Sequence, residues 1–152
     1  MDFFSKLLIG HINTTSRNMW NQLLEDDISL RSIYGNSIPS LEGVFLHEIK
    51  ISNGEELTCY VRFDLASLPH AAPAKWKERG VDAVQLTMQL ISAGIIHFSS
   101  AGDDVVGDIE IKPAEGFKTV SYKAKGKEIF QMRAKWILIN SISGYTKQGF
   151  MT

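Results

Sequence analysis

His47 and Glu48 stand side by side, as at the start of a His-Glu-x-x-His zinc motif, but Ile51 occupies the position of the second imidazole. The surrounding residues alternate like a strand, whereas the motif needs helical spacing to bring two imidazoles to one ion. A hydrogen-bonded, partly buried imidazole on the odd-numbered face of Phe45 and Ile49 is the better reading of His47. The single cysteine, Cys59, lies between Leu57 and Val61 on an apolar face, where a thiol acts as a small hydrophobe rather than a nucleophile. The chain has no Gly-x-Ser-x-Gly elbow, and Gly126-Lys127 is followed by Glu128 where a phosphate-binding loop needs Ser or Thr. No catalytic residue, metal site or cofactor is expected.

The acids Asp103, Asp104, Asp108, Glu110 and Glu115 crowd one turn and strand. Carboxylates so placed can bind calcium, act as acid and base, or meet a basic partner. Asp108 and Glu110 alternate with Ile109 and Ile111 and so belong to a wet face, and the regular oxygen series of a calcium loop is missing. A solvated edge is the plain reading of these five, and they are also the candidate protein-contact residues. Lys118, Lys123, Lys125, Lys127, Arg133 and Lys135 tint the C-terminal strands positive, but Tyr122 and Trp136 fall on the apolar phase. The lysines therefore read as solubilising residues rather than a nucleic-acid surface.

Hydrophobic period supplies the elements that position these residues. Thr15 and Ser16 can cap a first helix with Met19, Trp20, Leu23 and Leu24 on one face and Trp20 as its anchor. A second helix starts at Asp26 or Asp27, whose carboxylate can accept orphan N–H groups, and stops at Gly35. Alternation then takes over, with Phe45, Ile49 and Ile51 opposite Glu48 and Lys50, a turn at Asn53-Gly54, and Leu57, Cys59, Val61, Phe63 and Leu65 on one face. Pro69 and Pro73 punctuate the chain before a helical turn from Ala74 to Arg79 that Gly80 ends.

Val84, Leu86, Met88 and Leu90 form the next face, and Ile95 to Phe98 continue that strand past a bulge near Gly94. Three further segments carry Val105, Ile109 and Ile111, then Val120, Tyr122 and Ala124, then Phe130, Met132, Ala134, Trp136 and Leu138. Turns at Pro113 to Gly116 and Lys125-Gly126 separate them. Sequential pairing gives an antiparallel meander. The expected class is α+β, with short N-terminal helices packed on a largely antiparallel sheet of about six strands. A sheet of that size has two ways to curl, into a sandwich or a partial barrel.

A length of 152 residues fits one domain, 1–152, and 44% hydrophobic residues supply its core. Sixteen basic and seventeen acidic side chains leave a charge of −1, so no strong field draws the chain to nucleic acid or an anionic membrane. One cysteine fits a reducing compartment, and the cytoplasm is the expected location. Phe3, Phe4, Leu7, Leu8 and Ile9 are interrupted by Ser5 and Lys6, too broken for a signal sequence, and no run approaches the roughly 20 apolar residues of a spanning helix.

The order of several landmarks resembles the immunity protein 50 family of bacterial polymorphic toxin systems. They are Trp20 with Leu23 and Leu24; Ile33-Tyr34-Gly35 followed by Pro39-Ser40-Leu41; and Leu46, Ile49 and Ile51. Phe63-Asp64-Leu65, Pro69, Pro73 with Lys75-Trp76, and Val84-Gln85-Leu86 follow. One departure is Ala72-Pro73, where a doubled proline before the Lys-Trp pair is the closer match. The resemblance implies a bacterial protein that binds and neutralises a cognate toxin domain, with no reaction of its own. A small-molecule or carbohydrate-binding β domain, with Tyr60 or Trp76 as a platform, is the alternative from another class.

Overall fold

The computed structural model describes residues 19–100 and 102–147. Among these residues eight strands form the sheet: β1 (Val44–Ser52), β2 (Thr58–Asp64), β3 (Ala83–Ile91), β4 (Gly94–Phe98), β5 (Val106–Ala114), β6 (Phe117–Ala124), β7 (Lys127–Ala134) and β8 (Trp136–Tyr145). Their spatial order is β4-β7-β6-β5-β1-β2-β3-β8, every pairing antiparallel. The two halves, β1-β2-β3-β8 and β5-β6-β7-β4, meet at two register pairs, Val44 with Gly107 and Phe45 with Val106. One cluster of buried side chains draws on both halves: Val61, Phe63, Met88 and Ile137 from one, and Ile111, Tyr122, Phe130 and Met132 from the other. The sheet thus folds over a common core without closing.

The expected count of about six strands is corrected to eight, because two of the apolar runs each turn a corner. Residues 84–98 do not make one strand: Ser92 takes a positive φ of 52°, the chain bends, and β4 pairs with β7 rather than extending β3. Phe130 to Leu138 likewise divides at Lys135 into β7 and β8. The two bends lie against each other. Ile91 faces Trp136 before them, Gly94 faces Arg133 after them, and the Lys135 N–H donates to the Ile91 carbonyl at 3.0 Å between. A single antiparallel ribbon therefore runs from one half of the sheet into the other, the way strands switch sheets at a corner. Beyond the corner Ile137 is fully buried while Trp136 and Leu138 are partly exposed, so the expected shared face of Trp136 with Met132 is lost. Strict sequential pairing fails for the same reason.

A bulge in β1 makes a second correction. Leu46 faces Phe63 and Glu48 faces Arg62, which leaves His47 as the extra residue. Phe45 and His47 stand on the outer face by simple alternation, and the extra residue moves Ile49 to the inner face with Leu46. His47 therefore shares a face with Phe45 but not with Ile49. The β1–β2 reversal is also longer than an Asn-Gly hairpin, since Ser52 pairs with Thr58 across residues 53–57. At Lys125-Gly126, by contrast, φ values of 52° and 75° give the two-residue hairpin the sequence implies.

Among the described residues few helices accompany the sheet. Helix α1 (Ile28–Tyr34) begins where expected, with Asp26 Oδ1 accepting from the Ile28 N–H at 3.2 Å, and ends at Gly35, whose φ is 62°. Helix α2 (Ala74–Arg79) ends at left-handed Gly80. The first expected helix is, among the described residues, only a 3-10 turn at Trp20–Leu23; Thr15 and Ser16 lie outside them. Trp20 is its buried anchor and donates its indole N–H to the Pro39 carbonyl at 2.8 Å. Trp76 of α2 lies over β8, where its ring atoms come within 2.8–2.9 Å of the position a Cβ on Gly144 would take. Among the described residues no helix is long and apolar enough to cross a membrane.

Cys59 is fully buried, and burial pushes its thiol above the ordinary range. Thiol reagents are therefore expected to label it only at the rate of unfolding, and Cys59→Ser to cost about 1–3 kcal/mol by burying an unpaired hydroxyl. Rapid labelling of the native protein would contradict this placement.

Candidate functional site

Strand register brings five residues into one row across the outer surface. Val106 of β5 faces Phe45 of β1, Phe45 faces Asp64 of β2, Asp64 faces Gln85 of β3, and Gln85 faces Ser143 of β8. At about 4.7–4.9 Å per strand this row spans roughly 20 Å. Asp64 stands at its centre and is only 3% exposed, although it lies on the outer face. Burying a carboxylate is costly unless donors surround it.

Two groups meet one of its oxygens. The Tyr145 hydroxyl donates to Asp64 Oδ2, and His47 Nε2 lies 3.0 Å from the same oxygen. Alternation from Leu46 turns His47 outward beside β2, and the Phe45 ring packs beside it at 4.8 Å between centroids. The other oxygen, Oδ1, is buried and has no hydrogen-bond partner among the described residues. Such a group is uncommon in folded proteins, and a water, an ion or a partner's donor can complete it.

Asp64 lines two adjoining hollows. The larger, about 610 Å³, is bordered by Phe45, His47, Arg62, Gln85, Tyr145 and Lys147. The smaller, about 260 Å³, lies toward the β1–β5 junction beside Leu68, Asp82 and Val106. Arg62 is drawn toward Glu48, with 3.7 Å between Nη2 and Oε2. Asp82 Oδ1 accepts from the Lys147 backbone N–H at 2.8 Å.

Burial and then the hydrogen bond to Asp64 push the Tyr145 hydroxyl up to about 12. An unfolded tyrosine ionises near 10. Because the folded value is the higher one, the stability Tyr145 contributes is complete below pH 10 and is lost as the pH climbs through 12. Tyr145→Phe is expected to flatten the alkaline fall in urea-unfolding free energy across that window. Identical wild-type and variant slopes between pH 10 and 12 would contradict the assignment.

The five acids expected as a contact surface are distributed along the length of β5. Asp103 and Asp104 lie before its start, Asp108 and Glu110 within it, and Glu115 in the turn at its far end. Asp104 pairs with Lys125 at 2.9 Å, Asp108 Oδ1 accepts from the Gly43 N–H at 2.9 Å, and Glu110 lies between Lys112 at 3.2 Å and Lys123 at 3.8 Å. Asp103 and Glu115 are exposed. The structure thus brings Asp103 and Asp104 together, sets Asp108 and Glu110 on one strand, and separates Glu115 from the first pair by about nine residues of strand, roughly 30 Å. Of the two aromatics expected as platforms, Trp76 packs against the core, and Tyr60 holds Lys50 over its ring at 5.6 Å.

The sequence does not reveal the Asp64 cluster because its members are distant: Asp64 lies 17 positions after His47, and the Asp64–Tyr145 contact spans 81. One signal was available, since Asp64 sits between Phe63 and Leu65 among the landmarks of the resemblance. No curated protein and no solved structure matches the chain. A family model described as immunity protein 50 matches residues 26–145, a span that includes every residue of the His47, Asp64 and Tyr145 cluster, and the chain belongs to that family.

Proposed function

We propose that this protein is a cytoplasmic bacterial immunity protein that binds a cognate polymorphic toxin domain and neutralises it by contact, without catalysis. Membership of the immunity protein 50 family across residues 26–145 is the observation that carries this reading. An outer sheet face with exposed Phe45 and Val106, edged by exposed Leu68 of the loop after β2, suits a protein partner, because interface cores are formed by apolar and aromatic side chains. Asp103, Asp104, Asp108, Glu110 and Glu115 remain the proposed steering residues, with Asp103 and Glu115 the more available and the others held by lysines or backbone.

Co-expression with the toxin domain encoded by the adjacent reading frame is expected to restore growth, and the two purified proteins are expected to form a complex. Reversing Asp103 and Glu115 to lysine should slow association and weaken its salt dependence while leaving the melting temperature nearly unchanged. Unaltered association kinetics would remove the steering role. Failure of the unmodified chain to bind or protect would overturn the immunity reading.

A further inference from the structure

We infer that the hollows around Asp64 form the anchor of the toxin interface and that the partner supplies a basic side chain, an arginine or lysine, to Asp64. This inference rests on the proposed immunity function and names the surface and the chemistry through which that function would act.

Three observations meet here. Asp64 is almost wholly buried, yet Oδ1 has no hydrogen-bond partner among the described residues, while Oδ2 accepts from Tyr145 and lies 3.0 Å from His47 Nε2. A donor arriving from outside would complete the carboxylate, and a guanidinium presents paired N–H groups in the geometry a carboxylate accepts. Second, two carboxylates, Asp64 and Asp82, line the hollows; of the two cations beside them, Arg62 also lies 3.7 Å from Glu48 and Lys147 is exposed. Third, the approach is edged by apolar side chains exposed to solvent: Phe45 at 38%, Leu68 at 47% and Val106 at 55%. Apolar contacts around one desolvated charged pair keep water from it, the arrangement in which arginine anchors dominate binding.

A contrasting surface lies on edge strand β4, where Ile95, Ile96 and Phe98 are also exposed. It offers no buried carboxylate, and the β4–β7 register shifts between Ile95 and His97, which leaves Ile96 as the extra residue. An irregular edge pairs poorly with another strand. β4 therefore serves as the internal control.

The test is titration calorimetry of the neighbouring toxin domain against the full chain and three variants. Asp64→Asn keeps the shape and an acceptor for Tyr145 but removes the charge; it is expected to weaken binding at least 100-fold. The double variant Leu68→Ser, Val106→Ser is expected to weaken it about tenfold, and Ile96→Ser to leave it within twofold. Replacing the partner's basic anchor by alanine should add nothing further in the Asp64→Asn background. Should Asp64→Asn fail to fold, the exposed double variant decides. Wild-type-like binding by Asp64→Asn, or by the double variant, overturns the anchor while the immunity function stands. A dimer of the chain alone that Leu68→Ser disperses reassigns the face to self-association and also overturns it. If the unmodified chain does not bind the toxin domain at all, the immunity reading fails and the anchor with it.

Discussion

Trp20→Ala is expected to cost about 3–5 kcal/mol of unfolding free energy, the range for deleting a buried aromatic. Trp20 is 1% exposed and is the largest wholly buried side chain. Its 3-10 turn is too short to persist alone, since one turn fixes several dihedrals for very few hydrogen bonds. The indole supplies what the turn lacks. It lies beside Leu41, Ile109 and Ile111, and its N–H holds the Pro39 carbonyl at 2.8 Å. Removing it would leave a cavity under β5 and an orphaned carbonyl in the segment before β1. Trp20→Phe separates the two effects: most of the packing remains, and the lost hydrogen bond is expected to cost about 1–3 kcal/mol. Urea unfolding monitored by circular dichroism measures both. An alanine variant within 1 kcal/mol of wild type would remove Trp20 from its anchoring role.

Local patterns in the sequence identify many of the elements because their causes are local. Gly35 and Gly80 stop helices at positions where the backbone takes positive φ, and Cys59, Val61 and Phe63 alternate because β2 has one wet face and one dry one. Trp20 was recognisable as an anchor by its place on an apolar helical face. The missed features all depend on distant partners. The corner at Ser92 needs the second bend at Lys135 to stabilise it, and neither bend has a glycine or proline at its pivot. Alternation carries on through residues 130–138 although the chain changes sheets, so one-dimensional period cannot reveal the switch. The bulge at His47 is equally silent, being defined by the partner register on β2. The Asp64 cluster combines these difficulties. Asp64 reads as one polar residue in an alternating strand, and its burial follows from Tyr145 and His47 closing over it.

Gly107→Ala tests the place where the two halves of the sheet join, and is expected to cost about 3 kcal/mol, at the upper end of the usual range for an overpacked site. A Cβ on Gly107 would stand 2.3 Å from the Lys123 carbonyl oxygen and 2.9–3.0 Å from the Tyr122 ring. Neither neighbour can retreat easily. The carbonyl belongs to β6, paired with β5 from Asp108–Lys123 onward, and the buried Tyr122 ring is tied at its far end, where its hydroxyl donates to the Asp104 carbonyl at 2.8 Å. The strain must therefore pass into the backbone of β5, and β5 holds β1 through only two register pairs, Gly107 with Val44 and Val106 with Phe45. For a chain of this size the expected loss lowers the melting temperature by about 6–12 °C. Gly94→Ala provides the comparison. Its Cβ would lie 2.6 Å from Arg133 Nε, but an exposed, flexible arginine can swing aside, so a cost below about 1 kcal/mol is expected. The same pair of variants bears on the proposed binding surface. Parting β5 from β1 moves Val106 away from Phe45, so Gly107→Ala should weaken the proposed toxin binding even at temperatures where it is fully folded, whereas Gly94→Ala should not. Equal melting temperatures for the two variants would mean that the halves of the sheet do not meet at Gly107 in the way the register describes.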